Sequence, residues 1–252
     1  GGIAADFVAK AAPDGYTLLM AAMPVMAILP AINKTNYDPV RDFVRISNVG
    51  SNPFVMGVHK SVAANSVQEL VALARKKPGA LSYASYGAGS QPQLAMEMIK
   101  QKTGTFIVHI PYRGVAQAVM VVVGNEVPMT WSGIPTARAH LASGKLKALV
   151  YGGKARSSAY PDVPTATELG MPEVDANVWI GLFAPAATSA ATVQKIHRDT
   201  LGVISEPEFR RREVEGKGYD LVGLGSEDFK RHIARESASR KATLKAAGVK
   251  LE

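Results

Sequence analysis

Cysteine is absent from the 252 residues, which removes disulfides and thiolate metal sites and leaves the redox compartment open. Aromatic residues are few, at 7%, and they do not stud the basic stretches as a nucleic-acid binder would require. No apolar run is long enough for a membrane. The most apolar stretch, YTLLMAAMPVMAILPAI (Tyr16 to Ile32), is interrupted by Pro24 and Pro30 and falls short of the roughly 20 residues of a spanning helix. The opening GGIAADF has neither a basic n-region nor an apolar h-region, so a signal peptide is expected to have been removed or never to have existed.

Catalytic patterns are missing too. There is no G-x-S-x-G elbow, no H-E-x-x-H and no EF-hand loop. GAGSQP carries Pro92 where a dinucleotide fingerprint needs its third glycine. The five histidines are scattered, and HRD at 197–199 resembles a kinase loop only as letters on an amphipathic helix. His232 and Glu236 share a helix face, which reads as a solvated pair. No cofactor and no metal site are expected.

What is present is the composition of a folded protein, 47% hydrophobic and 20% charged. The net charge of +8 is uneven. Residues 57–156 hold twelve basic and three acidic side chains, net +9, whereas residues 157–194 hold four acids and no base. A field of this sign raises the local concentration of anions.

The middle of the chain alternates strands with helices. An amphipathic helix, VQELVALARKK, precedes a strand at LSYASY, then a glycine turn and a helix from about Gln91 to Lys102. TFIVHIPY, VPMTWSG and KLKALVYGG read as further strands, with helices at VAQAVMVVVGNE and at 134–143. Such alternation implies a mostly parallel sheet with right-handed crossovers. Three strands end in small or glycine-bearing turns: Gly87-Ala88-Gly89-Ser90, Tyr112-Arg113-Gly114 and Ser132-Gly133. In parallel sheets ligands bind at the carboxyl edge, where helix N-termini favour anions. On the flanks the reading is a helix at 3–10, a strand in YTLLMAA and a second helix within 26–32. ISNVGSNPFVMGVH reads as a long strand broken at Pro53, and VWIGLFAPA as another. Helices are expected at 190–203, 207–217 and 226–247.

Several stretches together resemble a known family. APDGYTLLMA, NYDPVRDFVRISNVGSNPFVMGV, HIPYRGVAQAV, GKLKALVYGGKARSSAYPDVPTATELGMPEV and VWIGLFAPAATSAATVQKI are similar to the solute-binding receptors of tripartite tricarboxylate transporters, the Bug/TctC family. The resemblance implies an α/β, bilobed, type II periplasmic-binding-protein-like fold, with lobe 1 from 1–57 and 178–252 and lobe 2 from 58–177. It implies a small carboxylate held between the lobes by backbone amides, membrane transporter subunits as partners, a periplasmic location and a monomer. SYGAGSQP and PYRGVAQA match the family's two ligand loops of the second lobe. The ligand set so implied is Gly87, Ala88, Gly89, Ser90, Tyr112, Arg113, Gly114, Ala116, Ser132, Met23 and Trp179.

Three departures qualify the resemblance. The chain starts after the strand, helix and strand that open family members, so a truncated sequence or an incomplete first lobe is expected. Ala21-Ala22-Met23-Pro24 is more apolar than the family's usual loop. Trp131-Ser132 stands where many members carry an acid, which favours a plain mono- or dicarboxylate, aromatic ones included, over an amino acid. The alternative is an enzyme on the same architecture with His109 as base.

Overall fold

The computed structural model describes residues 1–157, 159–214, 218–246 and 248. In chain order the first elements are α1 (Gly2–Ala9), β1 (Leu19–Ala22), a π-helical turn Pro24–Ile28, α2 (Leu29–Ile32) and β2 (Phe43–His59). There follow α3 (Val67–Lys76), β3 (Ser82–Ser85), α4 (Gln91–Thr103), β4 (Val108–Pro111), α5 (Val115–Val123) and β5 (Met129–Gly133). The chain continues through α6 (Ile134–Ala142), β6 (Leu146–Tyr151), β7 (Asn177–Pro185), α7 (Ala190–Ser205) and α8 (Pro207–Phe209). It ends with a second π turn Arg210–Val214, β8 (Asp220–Gly225) and α9 (Ser226–Ala246). The ends expected for two helices, 215–217 and 247, lie outside the described residues. Contacts divide the chain into two compact units, 1–52 with 178–252, and 53–177.

In the first unit the strand order is β1–β7–β2–β8. β1 pairs antiparallel with β7, Leu19 opposite Phe183. The π turn has a local cause. Pro30 has no N–H to offer the Met26 carbonyl and its ring crowds that oxygen. The Leu29 N–H reaches back five residues to the Pro24 carbonyl instead. One core cluster gathers Ile46, Leu182, Ala184 and Val193. Another is aromatic: Phe183 lies against Phe43 (6.3 Å), Phe229 (5.4 Å) and Trp179 (6.3 Å).

β8 is a strand that its sequence hides, since Gly223 and Gly225 weaken strand propensity and Gly223 has φ +65°. Pairing with β2 overrides that preference: Ser47 faces Gly225 and Ser51 faces Asp220, with a bulge between Asn48 and Gly50. A Cβ on Gly50 would lie 2.6 Å from the Asp220 carbonyl oxygen, so only glycine fits.

Pro53 does not break β2, contrary to expectation. Its missing N–H falls between the residues paired with β8, ending at Ser51, and those paired with β5 and β6, starting at Phe54 and Val55. No bond of those three pairings is lost there.

In the second unit the order is β6–β2–β5–β3–β4. β2 is antiparallel to both β5 and β6, while β5, β3 and β4 run parallel. α3 begins at a variant of the capping box, shifted by one residue: the Ser66 hydroxyl accepts the Glu69 N–H (3.1 Å) and the Glu69 carboxylate accepts the N–H of Asn65, just before the cap (2.7 Å). α4 ends at Gly104 with φ +63°, the left-handed cap that glycine allows. Core clusters form around Val119, Val122 and Leu146, and around Val55, Ile134 and Tyr151. Among the described residues no helix is long and apolar enough to cross a membrane.

Candidate functional site

Register brings three turns to one edge of the second unit. Ser85 lies opposite Pro111, and Ala84 opposite Thr130, so Tyr86, Tyr112 and Ser132 leave the parallel strands at the same end. Each is followed within a few residues by the first turn of a helix, α4, α5 or α6. The three sequence-predicted groups of this unit, 87–90, 112–116 and 132, are therefore gathered on one rim.

The glycine turn is built from inside. Gly87 and Gly89 have φ of +114° and +71°, in the region that side chains disfavour. The Gly87 N–H donates to Ser85 Oγ (3.1 Å), and the Ser90 N–H donates to the Gly87 carbonyl (3.2 Å). The Gly89 N–H donates to Gln93 Oε1 (2.7 Å). The Ser90 hydroxyl, expected to be offered to a ligand, donates instead to the Gly87 carbonyl (2.6 Å). Among the described residues the N–H of exposed Ala88 has no partner. A Cβ on Gly87 would meet nothing within 4 Å, so the turn faces open space.

Behind the turn lies a chain of polar contacts. His109 Nε2 is 2.5 Å from Ser85 Oγ, and its ring stacks on Tyr83 at 4.9 Å and 18°. The Tyr83 hydroxyl donates to Glu97 Oε1 (2.8 Å), which Lys100 also reaches at 2.7 Å. Desolvation pulls the His109 pKa below its ordinary value. Desolvation, reinforced by Glu97, raises that of Tyr83. Burial also raises Tyr86, whose hydroxyl accepts the Gln91 N–H. Ser85 and Gln93 were not anticipated as parts of the site. The legible signals are a hydroxyl two residues before a glycine, and a glutamine four residues after one.

The other named residues separate. Arg113 and Ala116 are exposed, and the Arg113 N–H donates to Gln117 Oε1 (3.2 Å). Gly114 precedes α5 in extended conformation, with nothing near a Cβ. Tyr112 packs on the core that contains Ala84 and Ala118. Ser132 is 1% exposed, and among the described residues its hydroxyl has no partner. Met23 and Trp179 belong to the first unit, both buried, Trp179 edge-on to Phe229 at 5.1 Å.

The positive field is smaller than the sequence segment suggests. Residues 53–177 contain twelve bases and seven acids, net +5, because the acids at 162–175 fold into the same unit. Glu168 pairs with Arg156 and Glu173 with Lys102.

A family model described as "Tripartite tricarboxylate transporter family receptor" matches residues 1–249. Among curated relatives, a UPF0065 protein of Bordetella pertussis is 32% identical over 82% of this chain. BugT of the same organism is 34% identical over 79%. The chain spans 64% and 61% of their lengths. Among solved structures, that of Rhodopseudomonas palustris Rpa4515 with adipate has a TM-score of 0.87 at 27% identity, covering 99% of this chain and 83% of that one. MatC of R. palustris with bound malate has a TM-score of 0.80 at 25% identity, covering 96% and 84%. The fold is that of periplasmic binding proteins of this type, and the chain belongs to the tripartite tricarboxylate transporter receptor family, TctC, whose members include the Bug proteins.

Proposed function

We propose that the protein is a periplasmic receptor that captures a small organic carboxylate and delivers it, unchanged, to the membrane subunits of a tripartite tricarboxylate-type transporter. The observation that carries this reading is the shared rim of β3, β4 and β5 in a chain of this family. There the Ala88 N–H is open, the Ser132 hydroxyl is buried without a partner, and Arg113 is exposed just before the start of α5. Helix starts and a cation suit a carboxylate. The adipate and malate of the two related structures are small dicarboxylates.

In this reading Gly87 and Gly89 shape the turn, and Ala88 and Ser132 supply donors. Arg113 adds charge, and Tyr112, Gly114 and Ala116 border the ligand. Residues 58–177 act as the ligand-loop lobe, and 1–57 with 178–252 as the other. The Ser85–His109 pair holds the turn rather than attacking a substrate, since Ser85 is 0% exposed and already accepts the Gly87 N–H. The protein works as a monomer.

Thermal melting with adipate, malate and other mono- and dicarboxylates tests the proposal. A true ligand at about 100 times its Kd adds about 2.7 kcal/mol of stability. Calorimetry on Arg113→Ala is expected to show affinity weakened about tenfold, as for an exposed charged contact. Ligand recovered after incubation is expected to be chemically unaltered. If no carboxylate shifts the melting temperature, or the recovered ligand is converted, the reading fails.

A further inference from the structure

Residues of the first unit line a partly open pocket of about 250 Å³ that the proposed function does not use. Its walls are apolar, formed by Met26, Ala31, Val40, Phe183 and Ile233. Met26, Ala31 and Phe183 are almost wholly buried. Three cations line it as well, Arg45, Lys230 and Lys241, and none of its lining residues is acidic.

Arg45 is the unusual member. It is 9% exposed, and among the described residues its guanidinium donates only to backbone carbonyls: Pro39 at 3.1 Å, Val40 at 3.4 Å and Phe43 at 3.5 Å. Its Nε–H is buried and, among the described residues, has no partner. Asp38 and Glu227 favour its charge from a distance, yet desolvation outweighs them and lowers its pKa. Asp38 Oδ1 accepts the Val40 and Arg41 N–H groups. A buried guanidinium without a carboxylate partner is costly, and a planar fork of donors is suited to a carboxylate.

We infer that this cavity is a second ligand site that takes a small amphipathic organic acid. Its carboxylate meets Arg45 and Lys230, and its apolar body lies among Met26, Phe183 and Ile233. At about 30 Å³ per water-sized group, the volume suits a body of roughly eight heavy atoms, the size of benzoate. This site goes beyond the rim of the second unit and does not depend on it.

Benzoate is the probe, titrated by calorimetry into the parent protein, Ala234→Trp and Lys230→Glu. Ala234 and Lys230 both stand at exposed positions of the lining, so a bulky ring and a reversed charge are tolerated there. Neither change touches the backbone bonds of Arg45, and melting curves check that both variants fold. The expected result is benzoate binding to the parent, weakened at least tenfold in each variant. Benzyl alcohol, the neutral counterpart, binds the parent at least tenfold more weakly than benzoate. Saturating adipate leaves the benzoate titration unchanged, which separates this site from the one proposed above. Failure of adipate to bind would sink that proposal and leave this one standing. The inference is overturned if benzoate does not bind, if either variant binds it as the parent does, if benzyl alcohol binds equally well, or if adipate displaces it.

Discussion

Ser85 Oγ and His109 Nε2 stand 2.5 Å apart on neighbouring parallel strands, β3 and β4. The histidine thereby fixes the hydroxyl that accepts the Gly87 N–H, and burial keeps its own pKa below the ordinary value of 6.5. The unfolded chain takes up a proton near that ordinary value, whereas the folded one resists until lower pH. This group therefore costs no stability above about pH 6.5 and an increasing amount as pH falls from there towards the lowered folded pKa. Melting temperature is expected to drop between pH 7 and pH 5. His109→Gln, which keeps a polar group at the position but does not titrate, is expected to show a shallower drop. Equal slopes for the two proteins would remove His109 from the account.

The glycine turn gives a contrast between two neighbours. Gly89→Ala forces a side chain onto φ +71°, a strain of about 1 kcal/mol before any ligand effect. Ser90→Ala removes one bond, 2.6 Å to the Gly87 carbonyl. That carbonyl still accepts the Ser90 N–H, so the loss is at most about 1 kcal/mol. Adipate affinity is expected to fall more for Gly89→Ala, because the strained turn re-aims the Ala88 N–H. Titration calorimetry of both variants decides it, and a larger loss for Ser90→Ala would make the hydroxyl the working group after all.

Gln93 supports the turn through the Gly89 N–H at 2.7 Å. Gln93→Leu leaves that buried donor unsatisfied and should cost about 1–3 kcal/mol of stability. Gln93→Glu keeps the accepting oxygen and places a negative charge in the first turn of α4, where the helix dipole favours it. Denaturant melts should therefore rank parent and Gln93→Glu together, well above Gln93→Leu. Similar losses in both variants would mean that the amide matters only as packing.

Gly152 is a close-approach position. An added Cβ would lie 2.4 Å from the Ala176 Cβ and 2.7 Å from the Ala176 carbonyl oxygen. Both partners are tied down, since the Gly152 N–H donates to the Phe54 carbonyl and the Phe54 N–H to the Ala176 carbonyl. Gly152→Ala is expected to destabilise by about 1–3 kcal/mol. Gly170→Ala, where φ is +74° but nothing lies within 4 Å, isolates backbone strain without collision and should cost less in the same thermal melts.

Much of this structure is legible in the sequence. Strand–helix alternation pointed to α4 and α5 and to the parallel β3, β4 and β5. What stayed hidden was non-local. β8 exists because Ser47 to Ser51 pair with it, not because of its own residues. Pro53 sits harmlessly in β2 because pairing changes partners beside it. The reach of Gln93 to Gly89 depends on how the turn curls, and the net charge of the second unit depends on which acids fold into it. Local pattern locates elements; tertiary partners decide which donors are left for a ligand.

β1 carries β7 on one side, and among the described residues no strand pairs with the other. Met20, in its middle, is 64% exposed, and Ile3 and Phe7 of the adjoining α1 are 90% and 70% exposed. A bare sheet edge beside apolar side chains is a template for strand addition from another molecule. Wherever that edge is left uncovered, self-association at high concentration would start there and grow by lengthening a sheet. Lysine in place of Met20 would suppress such growth by seating a charge on the edge while leaving both candidate ligand sites untouched.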